Sequence, residues 1–355
     1  MARPIFGADG QCILNCGVEI KPYFIKHLRN MDVGYLYVYD DRLEGVAVRD
    51  VVSEETRQEA GLIVRELVSF DNDTGRKSIR NICKIEGQLV RSVTRIVDEL
   101  LQNKDLVVNL VDIRSSDNYT FSHSVNVCVL STLMAIKLNY SRQKINKVAL
   151  GSVLHDLGKI MIPEKILKKP GFLTEEEFNL VKKHPYDGFE LFKHNPLYSE
   201  VAGDIIAQHH ERYNGTGYPH GLKGDEINPL AQIVSIADIY DALTSDRPYR
   251  RAYNPHEAIE LFTVSESSHN IEFLRVFLSF IAAYPVGTIV RLSNYEAGMV
   301  TDNIPGYPLR PVVRVLYDCD GGALRPHQAP YEIDLTEKLD VVVSGIVFED
   351  PNNKN

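Results

Sequence analysis

The sequence predicts a mainly α protein: a helical bundle with a small N-terminal α/β region and a small C-terminal β appendage. Three observations carry that expectation. Apolar residues recur at helical spacing from about residue 60 to 285, the pattern after Pro285 switches to alternation rich in glycine, and the composition is that of a packed chain. A hydrophobic share of 44% with 25% charged residues excludes a disordered, collagenous or low-complexity chain. The 355 residues suffice for two or three domains with a large buried core.

The elements follow in order along three regions, 1–115, 116–285 and 286–355. The first opens with short β-branched and aromatic runs such as Val33 to Tyr39, which read as a strand-containing lead segment. Helical faces then appear at Leu62, Ile63 and Leu67 and at Leu89, Val93, Ile96 and Leu100. The second stripe is expected either to pack on the protein's own core or to join two copies into a homodimer through these N-terminal helices, and four positions make a short register for a coiled coil. In the second region, Thr174 and Glu177 form a capping box with Leu173 and Phe178 at staple positions, and Pro185 is expected to end that helix near His184. The third region alternates over Thr288 to Leu292, Val312 to Tyr317 and Val341 to Phe348. No repeat of solenoid or propeller length is visible.

Charge and cysteine usage narrow the function class. Thirty-nine basic residues against 48 acidic ones leave a net charge of -9, which argues against gripping duplex nucleic acid through a basic face. Five scattered cysteines without a CxxC pair read as reduced thiols. With no long apolar span and no leader at the amino terminus, the expectation is a cytoplasmic protein that does not enter a membrane.

Histidines carry the strongest chemical signal. Seven of the eleven lie between His123 and His220, several beside acids or one another: His155-Asp156, His209-His210-Glu211, and then Asp238 and Asp241. Brought together inside a bundle, such carboxylates need compensating cations. Imidazole with carboxylate suits Fe, Mn, Co or Zn. His123, His155, Asp156, His184, His209, His210 and Asp238 make seven candidate ligands, too many for one tetrahedral ion, so two divalent ions sharing a carboxylate fit better. Asp238 and Asp241, three apart in the helical run Ala231 to Leu243, share a face. Two metals suit phosphoester hydrolysis, because together they activate a water and clamp the attacking and leaving oxygens. His27, His194, His220, His256, His269 and His327 read as ordinary histidines.

The order of motifs resembles HD-GYP proteins, a subgroup of the HD superfamily of metal-dependent phosphohydrolases. It runs from Tyr119-Thr120 and His123 through His155-Asp156-Leu157-Gly158-Lys159, Ile166-Leu167, Lys169-Pro170-Gly171 and His184-Pro185 with Gly188. It continues with His209-His210-Glu211, Gly215, the triplet Gly217-Tyr218-Pro219, Ala237-Asp238, Asp241-Ala242-Leu243 and Arg247-Pro248-Tyr249-Arg250. These lie between residues 119 and 250, little more than a third of the chain.

The resemblance implies an HD-type bundle that hydrolyses cyclic di-GMP to pGpG, with GMP as a further product, by means of a hydroxide bridging two ions, iron or manganese. Position by position, it puts His123, His155, Asp156 and Asp238 on one metal and Asp156, His184, His209 and His210 on the other, with Lys159 stabilising charge at the scissile phosphate. Arg247 and Arg250 can fork onto phosphate oxygens, and Tyr218, in a turn shaped by Gly217 and Pro219, can offer a ring or hydroxyl to the nucleotide. Asp241 has two readings, a role around metals and substrate or a hydrogen bond to a ligand. Tyr119 stands where some members carry a Glu and hold a third ion, so two ions are expected. Rival readings are a cyclic-dinucleotide receptor with weak catalysis and an enzyme preferring cyclic GMP-AMP.

Overall fold

The computed structural model describes residues 2–347 apart from 3, 7–10, 31–35, 47–48, 71–76, 80–81, 110–118, 170, 194–199, 246–251 and 321–322. Two helices explain its centre. α4 (Tyr119–Lys137) and α10 (Pro229–Thr244) are apolar around nearly their whole circumference, with Val127, Leu130, Leu133, Ala231, Ile233, Val234 and Ala237 fully buried. Helices of that kind belong inside a bundle. α5 (Arg142–Leu154) and α9 (Glu200–Gln208) pack against them, and α8 (His184–Phe192) lies across a 3-10 turn (Leu157–Met161) that follows α5.

Around this centre, α2 (Glu54–Leu67) and α3 (Ile82–Gln102) cover α4 from the N-terminal side. Leu89, Val93, Ile96 and Leu100 are 0–4% exposed, used up within the chain's own core, so this stripe offers no dimer face. The stripe of α2 is Thr56, Ala60, Ile63 and Leu67, at spacings of four, three and four, and Leu62 falls outside it at 42% exposure. One residue along a helix is a rotation of about 100°, so Leu62 and Ile63 cannot both point inward.

In the lead segment the strands are β1 (Ile5–Phe6) and β2 (Cys12–Leu14), followed by α1 (Pro22–Asn30). Residues 36–40 form no strand, and Val33 lies outside the described residues. A second short pair, β3 (Val68–Phe70) with β4 (Lys77–Ile79), joins α2 to α3. Beyond the 3-10 turn come α6 (Glu164–Leu167) and α7 (Glu175–Val181), then, after α10, α11 (Pro255–Val264) and α12 (Ile271–Leu278). The capping box at Thr174 and Glu177 is formed, but α7 stops at Val181 rather than near His184. Pro185 opens α8 instead, where its missing N–H costs nothing.

The C-terminal alternation becomes an antiparallel sheet of β5 (Ile289–Leu292), β6 (Glu296–Asp302), β7 (Val312–Asp320), β8 (Ala323–Asp334) and β9 (Val343–Ile346), in the order β8-β7-β6-β5-β9. Its inner face, with Val290, Leu292, Val300, Val313 and Val315, joins the same buried cluster as the helices. Two contacts hold the sheet and the linker that leads into it from α12. Val108 N donates to Phe280 O and Ala282 N to Val108 O, at 2.7 and 3.1 Å, while Arg314 donates to the carbonyls of Arg42 and Glu44. Among the described residues, no helix is long and apolar enough to cross a membrane, and Cys12, Cys16 and Cys128 are free thiols.

Candidate metal centre

Three helices end at one place, and each end delivers a histidine. His155 follows α5, His184 follows the last residue of α7 by three, and His209 follows α9. The last carbonyls of a helix have no partner within it. Here the imidazoles supply one: His155 Nδ1 meets Ser152 O at 2.6 Å, His184 Nδ1 meets Val181 O at 2.7 Å, and His209 Nδ1 meets Ile206 O at 2.9 Å. A carbonyl only accepts, so the proton sits on Nδ1 and each Nε2 lone pair is left facing inward. His123, on α4, is oriented in the same way by a carboxylate, with Nδ1 2.7 Å from Asp241 Oδ2.

The inward nitrogens converge on Asp156, which lies in the break between α5 and the 3-10 turn. Its Oδ2 is 3.5 Å from both His123 Nε2 and His155 Nε2, and its Oδ1 is 3.3 and 3.8 Å from His184 Nε2 and His209 Nε2. Asp238, on α10, lies 3.2 Å from His123 Nε2 through Oδ1 and 3.7 Å from His210 Nδ1 through Oδ2. The donors thus fall into two groups, Asp156, His184, His209 and His210, and His123, His155 and Asp238, each close enough to hold one ion.

The chemistry of this donor set fits divalent cations. His184 Nε2 and His209 Nε2 face each other at 3.2 Å with lone pairs opposed, and the buried His155 Nε2 and Asp156 Oδ1 make no hydrogen bond. Buried polar atoms without partners are costly, and a cation among them satisfies all at once. Burial, followed by the neighbouring imidazoles, holds His209 well below the usual histidine range, and burial likewise lowers His155 and His210, so these rings stay neutral. For Asp156 and Asp238, burial alone would raise the carboxyl. The Lys159 ammonium beside Asp156 and the hydrogen bond from His123 to Asp238 outweigh it and hold both carboxyls well below the usual carboxylate range. The negative ends of the converging helices favour positive charge at this point as well.

Lys159 Nζ lies 2.5 Å from Asp156 Oδ2 and is 31% exposed, on the open side of the centre. His210 borders the same side. It stacks at 4.7 Å on Tyr218, whose hydroxyl is pushed up by burial. Gly217 lies against the backbone of Glu211 and Arg212, where a Cβ would come within 2.3 Å of Arg212 N. The Tyr218-Pro219 bond is cis. Gly158 is a second close approach: a Cβ there would lie 2.0 Å from His184 O, so only glycine lets the turn after Asp156 sit against α8.

All seven expected metal ligands, with Lys159, are therefore brought together. Asp241 is 1% exposed and sits behind His123, where Asn126 Nδ2 also donates to it at 2.9 Å. That is the second of its two readings. Arg247, Arg250 and the side chain of Tyr119 lie outside the described residues. Two positions were given no role by the sequence reading. Glu211, 2% exposed, accepts from the backbone N–H of His220 and Leu222 at 2.7 and 3.0 Å and so anchors the loop that carries Tyr218. Arg212 lies beneath that loop and donates to Ser235 Oγ at 2.7 Å. Their place directly after the His pair was the available signal.

Residues 105–269 match the HD domain family, and residues 289–354 match a KOW domain associated with HD domains. The chain is 36% identical over 237 residues to a cyclic di-GMP phosphodiesterase of Pseudomonas aeruginosa, covering 66% of this chain and 57% of that protein. It is 35% identical over 176 residues to a cyclic di-GMP phosphodiesterase response regulator of Xanthomonas campestris pv. campestris, 49% of this chain and 46% of that one. It is also 35% identical over 168 residues to a 3'3'-cGAMP-specific phosphodiesterase of Vibrio cholerae, 46% of this chain and 38% of that one. The chain thus spans about half the length of the curated relatives it matches. With the histidines and aspartates converging as described, residues 105–269 belong to the HD domain family and carry the motif series of its HD-GYP group.

Proposed function

We propose that this chain is a metal-dependent phosphodiesterase that opens cyclic di-GMP to pGpG, with GMP as a further product, and that residues 116–285 carry the chemistry. The observation that carries this reading is the Asp156 carboxylate, with one oxygen turned to His123 and His155 and the other to His184 and His209. A carboxylate so placed fits a shared ligand of two cations. His123, His155, Asp156 and Asp238 would hold one, and Asp156, His184, His209 and His210 the other, with iron or manganese suited to these donors. When bound, the pair supplies Lewis acidity toward a phosphoryl oxygen and a water nucleophile at neutral pH.

The chain's own residues complete the site. Lys159 offers an ammonium to charge developing on the phosphate. Asp241 orients His123, and Glu211 holds the Gly217-Tyr218-Pro219 turn against the open side of the centre. Arg247 and Arg250 fork onto the second phosphate by the chemistry of guanidinium. The location proposed is the cytoplasm, on the strength of the scattered free thiols. A pure receptor would be expected to have lost ligands, whereas this set is complete. The resemblance to a 3'3'-cGAMP-specific relative supports a second reading, preference for cyclic GMP-AMP.

The test is anaerobic purification with metal analysis, then product identification from cyclic di-GMP and cyclic GMP-AMP in parallel. About two ions per chain and pGpG are expected. A metal-loaded protein that hydrolyses neither dinucleotide contradicts the proposal, and faster turnover of cyclic GMP-AMP selects the second reading.

A further inference from the structure

The exposed flank of the metal centre continues outward as a row of rings. His184 and His210 meet at 4.9 Å nearly edge to face, His210 lies against Tyr218 at 4.7 Å, and Tyr218 meets Phe178 edge to face at 6.4 Å. The row climbs from full burial at His184 to 42% exposure at Phe178. At its outer end, Lys182 Nζ stands 4.6 Å from the centre of the Phe178 ring and 6.0 Å from that of Tyr218. Phe178, at the staple position of α7, has its ring against Tyr218 and Lys182.

Both residues are held in place by α7. The Thr174–Glu177 capping box fixes the start of that helix, and Glu177 also accepts from Lys169 at 2.6 Å, so one cation beside α7 is already neutralised. Phe178 lies one residue further on and Lys182 one turn beyond it, both on the face that looks toward the Gly217-Tyr218-Pro219 turn. A partly exposed apolar ring next to an ammonium is an arrangement that suits a flat heteroaromatic base attached to a phosphate.

We infer that Phe178 and Lys182 are substrate-binding residues: Phe178 stacks one purine of the cyclic dinucleotide, and Lys182 meets the phosphate beside it. The inference rests on the phosphodiesterase reading above and adds to it where one base goes relative to the metals. These residues touch no metal donor among the described residues other than through Tyr218, so they act on binding rather than on the reacting atoms.

The test compares wild type with Phe178→Ala, Phe178→Leu and Phe178→Tyr, and with Lys182→Gln, in the metal-loaded full chain. Losing one base–ring stack is expected to raise KM for cyclic di-GMP roughly 10-fold in the Ala and Leu variants. Turnover and bound metal are expected to stay near wild type, because uniform binding is removed, and Tyr restores KM. Lys182→Gln is expected to raise KM and flatten its dependence on salt. An active wild type whose Ala and Leu variants keep the wild-type KM, or lose turnover and metal instead, overturns this assignment and leaves the activity standing. A metal-loaded wild type that turns over neither dinucleotide overturns the underlying reading and this one with it.

Discussion

Asp241 stands behind His123, its Oδ2 2.7 Å from His123 Nδ1 and its Oδ1 2.9 Å from Asn126 Nδ2. The carboxylate fixes the tautomer and the ring angle of His123, while Asn126, one turn along the same helix, fixes the carboxylate. Such outer partners commonly account for about 10- to 100-fold in metal affinity or activity. Asp241→Asn is therefore expected to weaken metal binding in the His123 group by about that factor with the fold intact, as read by chelator competition. Unchanged affinity and turnover would show that the contact positions nothing.

Asp156 is expected to be the least replaceable residue of the centre, because both donor groups use it. Asp156→Ala should abolish hydrolysis and lower bound metal in elemental analysis. A variant with full activity and metal content would refute the shared-ligand arrangement.

Glu211 acts on the loop rather than on the centre. Glu211→Gln keeps the shape but replaces one acceptor oxygen with a donor facing a backbone N–H, leaving a buried donor unpaired at a cost of about 1–3 kcal/mol. Loss of kcat/KM with metal content retained is expected, together with a lower melting temperature. If the kinetics match wild type, the loop does not need this anchor.

Gly158 leaves no room for a methyl group, since the added Cβ would lie 2.0 Å from His184 O and 2.6 Å from Gly188 N. Gly158→Ala should force the turn after Asp156 away from α8, lowering the melting temperature and separating Asp156 from His184. Thermal melts and metal analysis check both, and a variant indistinguishable from wild type would contradict this packing.

Glu99 on α3 reaches the start of α2, accepting from Ser53 N at 2.6 Å and from the hydroxyls of Ser53 and Thr56. Burial alone would raise its carboxyl, but these hydrogen bonds and Arg95 outweigh it and lower the pKa. A carboxyl lowered on folding stabilises the protein above its unfolded pKa, about 4.3, and that contribution disappears as pH falls through the folded value. Wild type should melt above Glu99→Gln at pH 7, and the gap should narrow below about pH 4.5. A gap independent of pH would assign the effect to shape rather than charge.

Much of this was legible in the chain. Two helices apolar all round yet interrupted by His123, Asp238 and Asp241 can only be central helices with a polar purpose. The histidine-rich breaks at 155, 184 and 209 stand where helices end, and a ring N–H can then meet a carbonyl left unpaired by the helix. Periodicity was less informative where one residue of rotation decides the outcome, as at Leu62, or where proline can either stop one helix or start the next, as at Pro185.

By itself the sequence determined the cast of the centre and the helical class, because both depend on residue type and spacing along the chain. Only the tertiary structure decided that each oxygen of Asp156 serves a different histidine group, that Asp241 orients His123 across 118 residues, and that Phe178 meets Tyr218. Those are matters of direction between segments distant in sequence, and direction is set by how helices pack, not by the order in which residues occur.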